Sequence, residues 1–337
     1  MIDFQEKAAA ELFRNNLISD NQLKEIKEYR LLNIFSLHNE LRFLLYLSVL
    51  LFTTGTGVLI YKNIDSIGHS IILIFILMLI VSCFYFSFKN YVGFAKTEVL
   101  FKNSVFDYVV LLGTILSCIF VGYLQFQYQI FGKSLGNGTL VACAIAFVVA
   151  YYFDNKSSLS IGITALAAFV GITITPKTLL QNEIYSNSAL ANYGLILGIL
   201  LVLWTIYCSK TNLKKHFNIV LLTFALHLCS ICIIAGLLAN FQVASYWFLY
   251  VPILVASVYY FNKVSQQTGM VSIFIFNFIY GYVGFNISIG ILFSYVDNWS
   301  DIWILPLFLF PVYFVFSIIF FIKATKNFNK TNHDSIQ

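Results

Sequence analysis

The chain has 337 residues, of which 59% are hydrophobic and only 10% charged, with a formal net charge of +5. Water-soluble domains carry roughly 25% charged residues, so most of this surface has to face lipid, and a single aqueous core is excluded. No Lys- or Arg-rich block marks a nucleic-acid footprint, so no nucleic-acid partner is expected.

The first 40 residues are mixed in charge and lack the basic start and short apolar core of a signal peptide. Phe4, Ala8 and Leu12 recur at helical spacing, as do Leu23 and Ile26. Between them, Ser19 and Gln22 have the spacing of a capping box. This pattern predicts two amphipathic helices, 3–16 and 20–35, in a cytoplasmic region covering residues 1–41. They form a hairpin resting on the bilayer or bundle, or an element that meets a cytoplasmic protein.

A membrane helix needs about 20 apolar residues to cross ~30 Å of hydrocarbon. Ten such stretches follow, at 42–61, 70–88, 105–126, 138–153, 158–175, 193–209, 217–238, 246–261, 269–295 and 302–322. The fourth and eighth read as short and the ninth as long. The expected fold is therefore all-α: a polytopic transmembrane helix bundle of about ten spans over 42–322, preceded by the hairpin. A disordered cytoplasmic tail is expected at 323–337.

Basic residues fix the orientation, because loops rich in Lys and Arg stay in the cytoplasm. With the N-terminus and alternate loops inside, only Lys62, Lys133 and Lys177 of the 20 Lys and Arg fall on the other side. Both termini are then cytoplasmic, as in a multi-pass protein of a bacterial inner membrane. Tyr151-Tyr152-Phe153 and Tyr259-Tyr260-Phe261 sit at inner span ends, and Tyr246-Trp247, Trp299 and Trp303 at outer ones. Such rings favour the interface because one end is apolar and the other can hydrogen-bond to water.

The opening of the first span has a family look. A short helical prelude ends in ELRFLLYLSVLLFTTGTGVLIYKNIDSIG, with Gly55 and Gly57 inside the span and Asn63 at its end. Over about residues 5–70 this resembles the bacterial membrane-protein family catalogued as domain of unknown function 2157, whose members place a Gly-containing first span before an Asn-Trp pair. Ile64 stands where that Trp would be. The resemblance implies a membrane fold and supplies no activity and no catalytic residue.

Chemistry has few candidates. His227-Leu-Cys-Ser-Ile-Cys232 contains a C-x-x-C, but a helix turns about 100° per residue. Cys229 and Cys232 share a face, while His227 points about 200° away from Cys229. Zinc needs three or four converging ligands, so others would have to come from Cys83, Cys118 or Cys143 on other spans. Ala225, Cys229, Cys232 and Gly236 instead form a stripe of small residues, the pattern of close helix contact in lipid. Gly194-x-x-x-Gly198 is a second such motif.

On another face of the seventh span lie Thr223, His227 and Ser230; a mid-membrane ionisable group is costly and usually turned inward. The ninth span carries a polar seam of Asn277, Gly281, Gly284 and Ser288, with Tyr280 and Asn286 beside it. Thr223, His227, Ser230, Asn277, Tyr280 and Asn286 are thus candidates to line one polar cavity, with helix packing as the competing role. Pro306 and Pro311 in the last span can kink it. Asp107 at the start of the third span reads as an interfacial carboxylate near Lys102.

Gly132-Lys133-Ser134-Leu135-Gly136 matches G-x-S-x-G in letters only. The nucleophile elbow needs a strand-to-helix turn, and here the match lies in a loop between membrane helices. Neither a P-loop nor H-E-x-x-H is present. No cofactor, metal or enzymatic activity is expected. The leading expectation is a permease-like protein that binds or moves a small molecule or lipid. The competing one is a non-catalytic scaffold or sensor that uses residues 1–40 to bind a cytoplasmic partner.

Overall fold

A computed structural model of the chain describes residues 19, 21–22, 24, 38–91, 93–99, 105–132, 134–179, 188–243, 245–294 and 304–334. Among these, ten long helices follow one another with no strand: α1 (His38–Ile67), α2 (His69–Lys89), α3 (Val105–Tyr128), α4 (Leu135–Phe153), α5 (Lys156–Leu179), α6 (Ser188–Thr211), α7 (Asn218–Val243), α8 (Tyr250–Thr268), α9 (Val271–Ser294) and α10 (Ile304–Asp334). Single turns of 3-10 helix, Lys215–Phe217 and Ser245–Leu249, precede α7 and α8. Each helix covers one stretch expected to span. Eight are long and apolar enough to cross a membrane, and α1 and α5 carry the shorter apolar stretches Phe43–Leu59 and Lys156–Gly171. The protein is an all-α polytopic bundle.

Most of the expected N-terminal hairpin lies outside the described residues. Its capping box is seen: Ser19 N–H donates to Gln22 Oε1 at 2.9 Å, and Gln22 N–H to Ser19 Oγ at 3.4 Å. Two compact units divide within α1, one running to Tyr61 and the other starting at Lys62. In the first, Thr53 returns its hydroxyl to Val49 O at 2.9 Å, satisfying it inside the helix.

The second unit is held by sequential helix pairs around a central α7. Leu221, Ala225, Leu226, Ile233 and Leu237 of α7 are all fully buried, and α7 packs on α6, α8 and α9. Apolar burial does not drive helix association in lipid, where the tails are as apolar as leucine; close packing does. The small-residue stripe supplies that closeness. A Cβ on Gly198 would lie 2.4 Å from Cys229 Sγ, one on Gly194 2.4 Å from Cys232 Sγ, and one on Gly236 2.2 Å from the Tyr250 ring. The two glycines of α6 therefore receive the two cysteines of α7. The outer faces remain greasy, with Phe126, Val148 and Tyr259 about 70% exposed or more, as lipid contact demands.

The ends are stitched by polar side chains. Gln125, 2% exposed, donates to Gly132 O at 2.6 Å and Ser134 O at 2.9 Å and accepts from Phe131 N–H at 3.0 Å, closing the α3–α4 loop that carries the G-x-S-x-G letters. Two residues, Asp154 and Asn155, join α4 to α5. Asp154 ends α4 in the left-handed region (φ 61°), which Asp tolerates better than most side chains. Asn155 Oδ1 accepts from Ser158 N–H at 2.8 Å and so caps α5.

Two expectations need correction. The fourth and eighth spans are not short: α4 and α8 have 19 residues each. Nor does a disordered tail begin at 323, for α10 stays helical to Asp334. Lys323-Ala324-Thr325-Lys326 contains no breaker and good helix formers, and Phe328 beyond it is buried and stacks on Phe274 of α9 at 4.4 Å. That contact continues a ladder in which Phe278 meets Phe320 and Phe321, and Tyr282 stacks on Tyr313.

Candidate functional site

The polar residues read from the sequence do not converge on one cavity. His227 of α7 and Tyr280 of α9 do meet, with Nδ1 3.0 Å from the phenol oxygen, and the Phe276 ring lies edge-on to the imidazole at 4.8 Å. Thr223 and Asn286 turn back on their own helices, Thr223 Oγ1 donating to Ile219 O and Asn286 Nδ2 to Tyr282 O. Ser230 is buried at 3% exposure. Asn277 faces the other way, toward α8, where its Nδ2 donates to Val258 O at 2.9 Å. Its side chain is 4% exposed and its Oδ1 is buried with no donor. A buried acceptor left unmade costs about 1–3 kcal/mol.

Asn277 lies on the wall of a groove between α8, α9 and α10. The groove has two adjoining parts of about 450 Å³ and about 550 Å³, both lined by Val258, Phe278, Gly281, Phe285 and Phe320. Tyr282, Tyr313, Phe316 and Ser317 complete one part, and Leu254, Val255, Tyr259, Asn262, Phe274, Asn277 and Ala324 the other. Small-molecule sites occupy roughly 300–1,000 Å³ with mostly apolar walls and few polar groups, and each part fits that description. Glycine at 281 keeps the wall low. Thr223, His227, Ser230, Tyr280 and Asn286 are not on these walls.

A second constellation had no signal in the sequence. The carboxylate of Asp154, fully buried, gathers three loops at one end of the bundle. Its Oδ1 lies 3.0 Å from Lys214 Nζ and 2.6 Å from His216 Nε2, and its Oδ2 accepts the Val99 N–H. Lys214 is also fully buried; its ammonium pairs by distance without hydrogen-bond alignment, and its other side faces the Phe94 ring at 5.5 Å. Lys214 has a left-handed backbone (φ 47°) and donates its N–H to Lys96 O at 2.8 Å. Burial, then the Asp154 charge, pushes the nearby Tyr91 hydroxyl up to about 12, so it keeps its proton. At the rim, Lys156 donates to Glu98 at 2.8 Å and holds that carboxyl below its ordinary range. Asp107, expected near Lys102, contributes its backbone: its carbonyl accepts from Asn155 Nδ2 at 3.0 Å; Lys102 lies outside the described residues.

This cluster also settles a question of path. Asp154 precedes α5 and Lys214 follows α6, yet their charged ends touch. The chain between them therefore runs away along α5 and returns along α6.

Fold and composition together define a polytopic α-helical membrane protein. Residues 10–159 match a family described as predicted membrane protein (DUF2157), the family that the first span resembles. The matched segment runs well beyond that span, through α4 and into α5. It includes Asp154 but not Lys214, His216 or the groove helices. No curated protein and no solved structure matches the chain. Gly55 and Gly57 of the family-like span have open space where a Cβ would stand.

Proposed function

We propose that the chain is a permease-like protein of the bacterial inner membrane that takes a lipid or small apolar molecule into the groove between α8, α9 and α10. The observation that carries this reading is the groove itself, two adjoining parts of about 450 Å³ and about 550 Å³ whose walls are mostly aromatic and aliphatic, with Asn262, Asn277 and Ser317 as their few strongly polar side chains. Mostly apolar walls select hydrocarbon, and a few polar side chains among them fix orientation. α10 packs on α9, and we read the groove beside it as opening sideways, so that a ligand enters from the bilayer without crossing water.

The orientation proposed has both termini cytoplasmic. In its support, the loops joined at Asp154 (90–104, 154–155 and 212–217) are three that the distribution of basic residues assigns to one side.

The test uses the full chain in lipid nanodiscs with a phospholipid carrying a diazirine on its acyl chain. Photolabelling should concentrate on α8–α10 and drop when Ser317→Trp fills the groove from its half-buried place on the wall. Label spread evenly over all lipid-facing helices, unchanged by Ser317→Trp, refutes the proposal.

A further inference from the structure

The groove has a charged mouth. On α8, Tyr259 and Asn262 line it, and Lys263, four residues after Tyr259, shares the Tyr259 face one turn further on. On α10, Phe320 and Ala324 line it, and Lys323, three residues after Phe320, lies on that face. Both lysines are exposed, and neither has an ion-pair partner among the described residues. Across α8, α9 and α10 the sole acidic residue is Asp334, at the C-terminal end of α10, eleven residues beyond Lys323. The opposite end of α8 is Tyr250, whose hydroxyl donates to Asn192 Oδ1 near the start of α6. The lysine end of the groove is therefore the end where α6 finishes, the same end as Asp154.

The groove thus has a mostly apolar trough and, flanking one mouth, two lysines without an ion-pair partner among the described residues. Water-soluble substrates do not match hydrocarbon walls, and a neutral hydrocarbon has no use for the lysines. We infer that the groove seats one anionic phospholipid of the leaflet on the Asp154 side. Its phosphate lies between Lys263 and Lys323, and its acyl chain runs past Asn277 along Phe278, Gly281 and Phe285. This rests on the groove reading above and adds the charge class of the ligand. A lysine near an anionic headgroup contributes about a fivefold preference, weakened by salt.

The experiment compares two probes with the same diazirine chain, phosphatidylglycerol and phosphatidylcholine, in phosphatidylcholine nanodiscs holding the full chain. Phosphatidylglycerol should label α8–α10 at least fivefold more strongly at low salt. Lys263→Gln with Lys323→Gln, both exposed and so neutral for folding, should bring that ratio close to one while leaving phosphatidylcholine labelling intact. Equal labelling by both probes in the unmodified chain, or a ratio untouched by the double substitution, overturns the anionic-lipid inference and leaves the groove reading standing. Labelling by neither probe above the level of the other helices removes both.

Discussion

Replacing Asp154 with alanine leaves Lys214 as a fully buried ammonium whose only remaining contact of the cluster is the face of Phe94. Breaking a buried ion pair from one side costs about 3–5 kcal/mol, because the charge left behind is uncompensated. The Val99 N–H loses its acceptor, adding up to about 1–3 kcal/mol. Alanine also tolerates the left-handed backbone at 154 less well than aspartate. The total is a loss of at least ~3 kcal/mol, concentrated where three loops meet. Lys214→Met is milder, since the carboxylate keeps His216 and Val99. The double variant Asp154→Asn, Lys214→Met removes both charges and keeps the side-chain shapes, so it should recover most of the loss, as paired replacements of buried ion pairs often do.

Thermal unfolding in detergent, followed by size-exclusion recovery, reads the stability order. Limited trypsin cleavage at Lys96 and Lys215 reads the opening of the loops. The expected order is wild type, then the double variant, then Lys214→Met, with Asp154→Ala last and cleaved fastest. An Asp154→Ala protein as stable as wild type, or no worse than the double variant, would show that the cluster does not hold the loops.

Three further outcomes follow from other contacts. Gly198→Ala forces a methyl against Cys229 Sγ and, at 3.3 Å, its backbone nitrogen; an overpacking cost of about 1–3 kcal/mol is expected, partly relieved by adding Cys229→Ala, and equal stability of the single and double variants would contradict it. His227→Leu and Tyr280→Phe each remove the one hydrogen bond linking these side chains, at about 0.5–1.5 kcal/mol, and a double-mutant cycle in unfolding should show them non-additive; strict additivity would mean that the bond is not made. Glu98 has its carboxyl lowered by Lys156, so its contribution is present above the ordinary glutamate range near 4.3 and fades as pH falls through the lower folded value. Glu98→Gln should therefore lower the unfolding temperature slightly at neutral pH and not at all in strong acid, small throughout because the pair is about half exposed.

Much of the architecture was legible before any coordinates. Hydropathy alone placed all ten helices, since a segment that must bury every backbone polar group in lipid has to be apolar, helical and about as long as the bilayer is thick. Helical spacing showed that Cys229 and Cys232 share a face of small residues, and Gly194 and Gly198 likewise; that the two stripes meet each other was not in either. The Ser19–Gln22 cap was readable because it is local. The tail was misread because low hydropathy was taken for lack of order, whereas Phe328 reaches α9 and holds the helix.

The candidate site was less legible. His227 and Tyr280 were both singled out, and they touch; Asn277 was grouped with them and instead faces α8. Asp154, Lys214 and His216 raised no signal, for each is an ordinary loop residue in a basic or polar stretch, and 60 positions separate Asp154 from Lys214. Hydrophobicity and helical period are properties of a short run of chain, so the sequence determined how many long helices there are and roughly where each lies. Which buried charge meets which, and which faces leave a groove between them, depends on how separate helices cross and pack. Only the tertiary structure decided that.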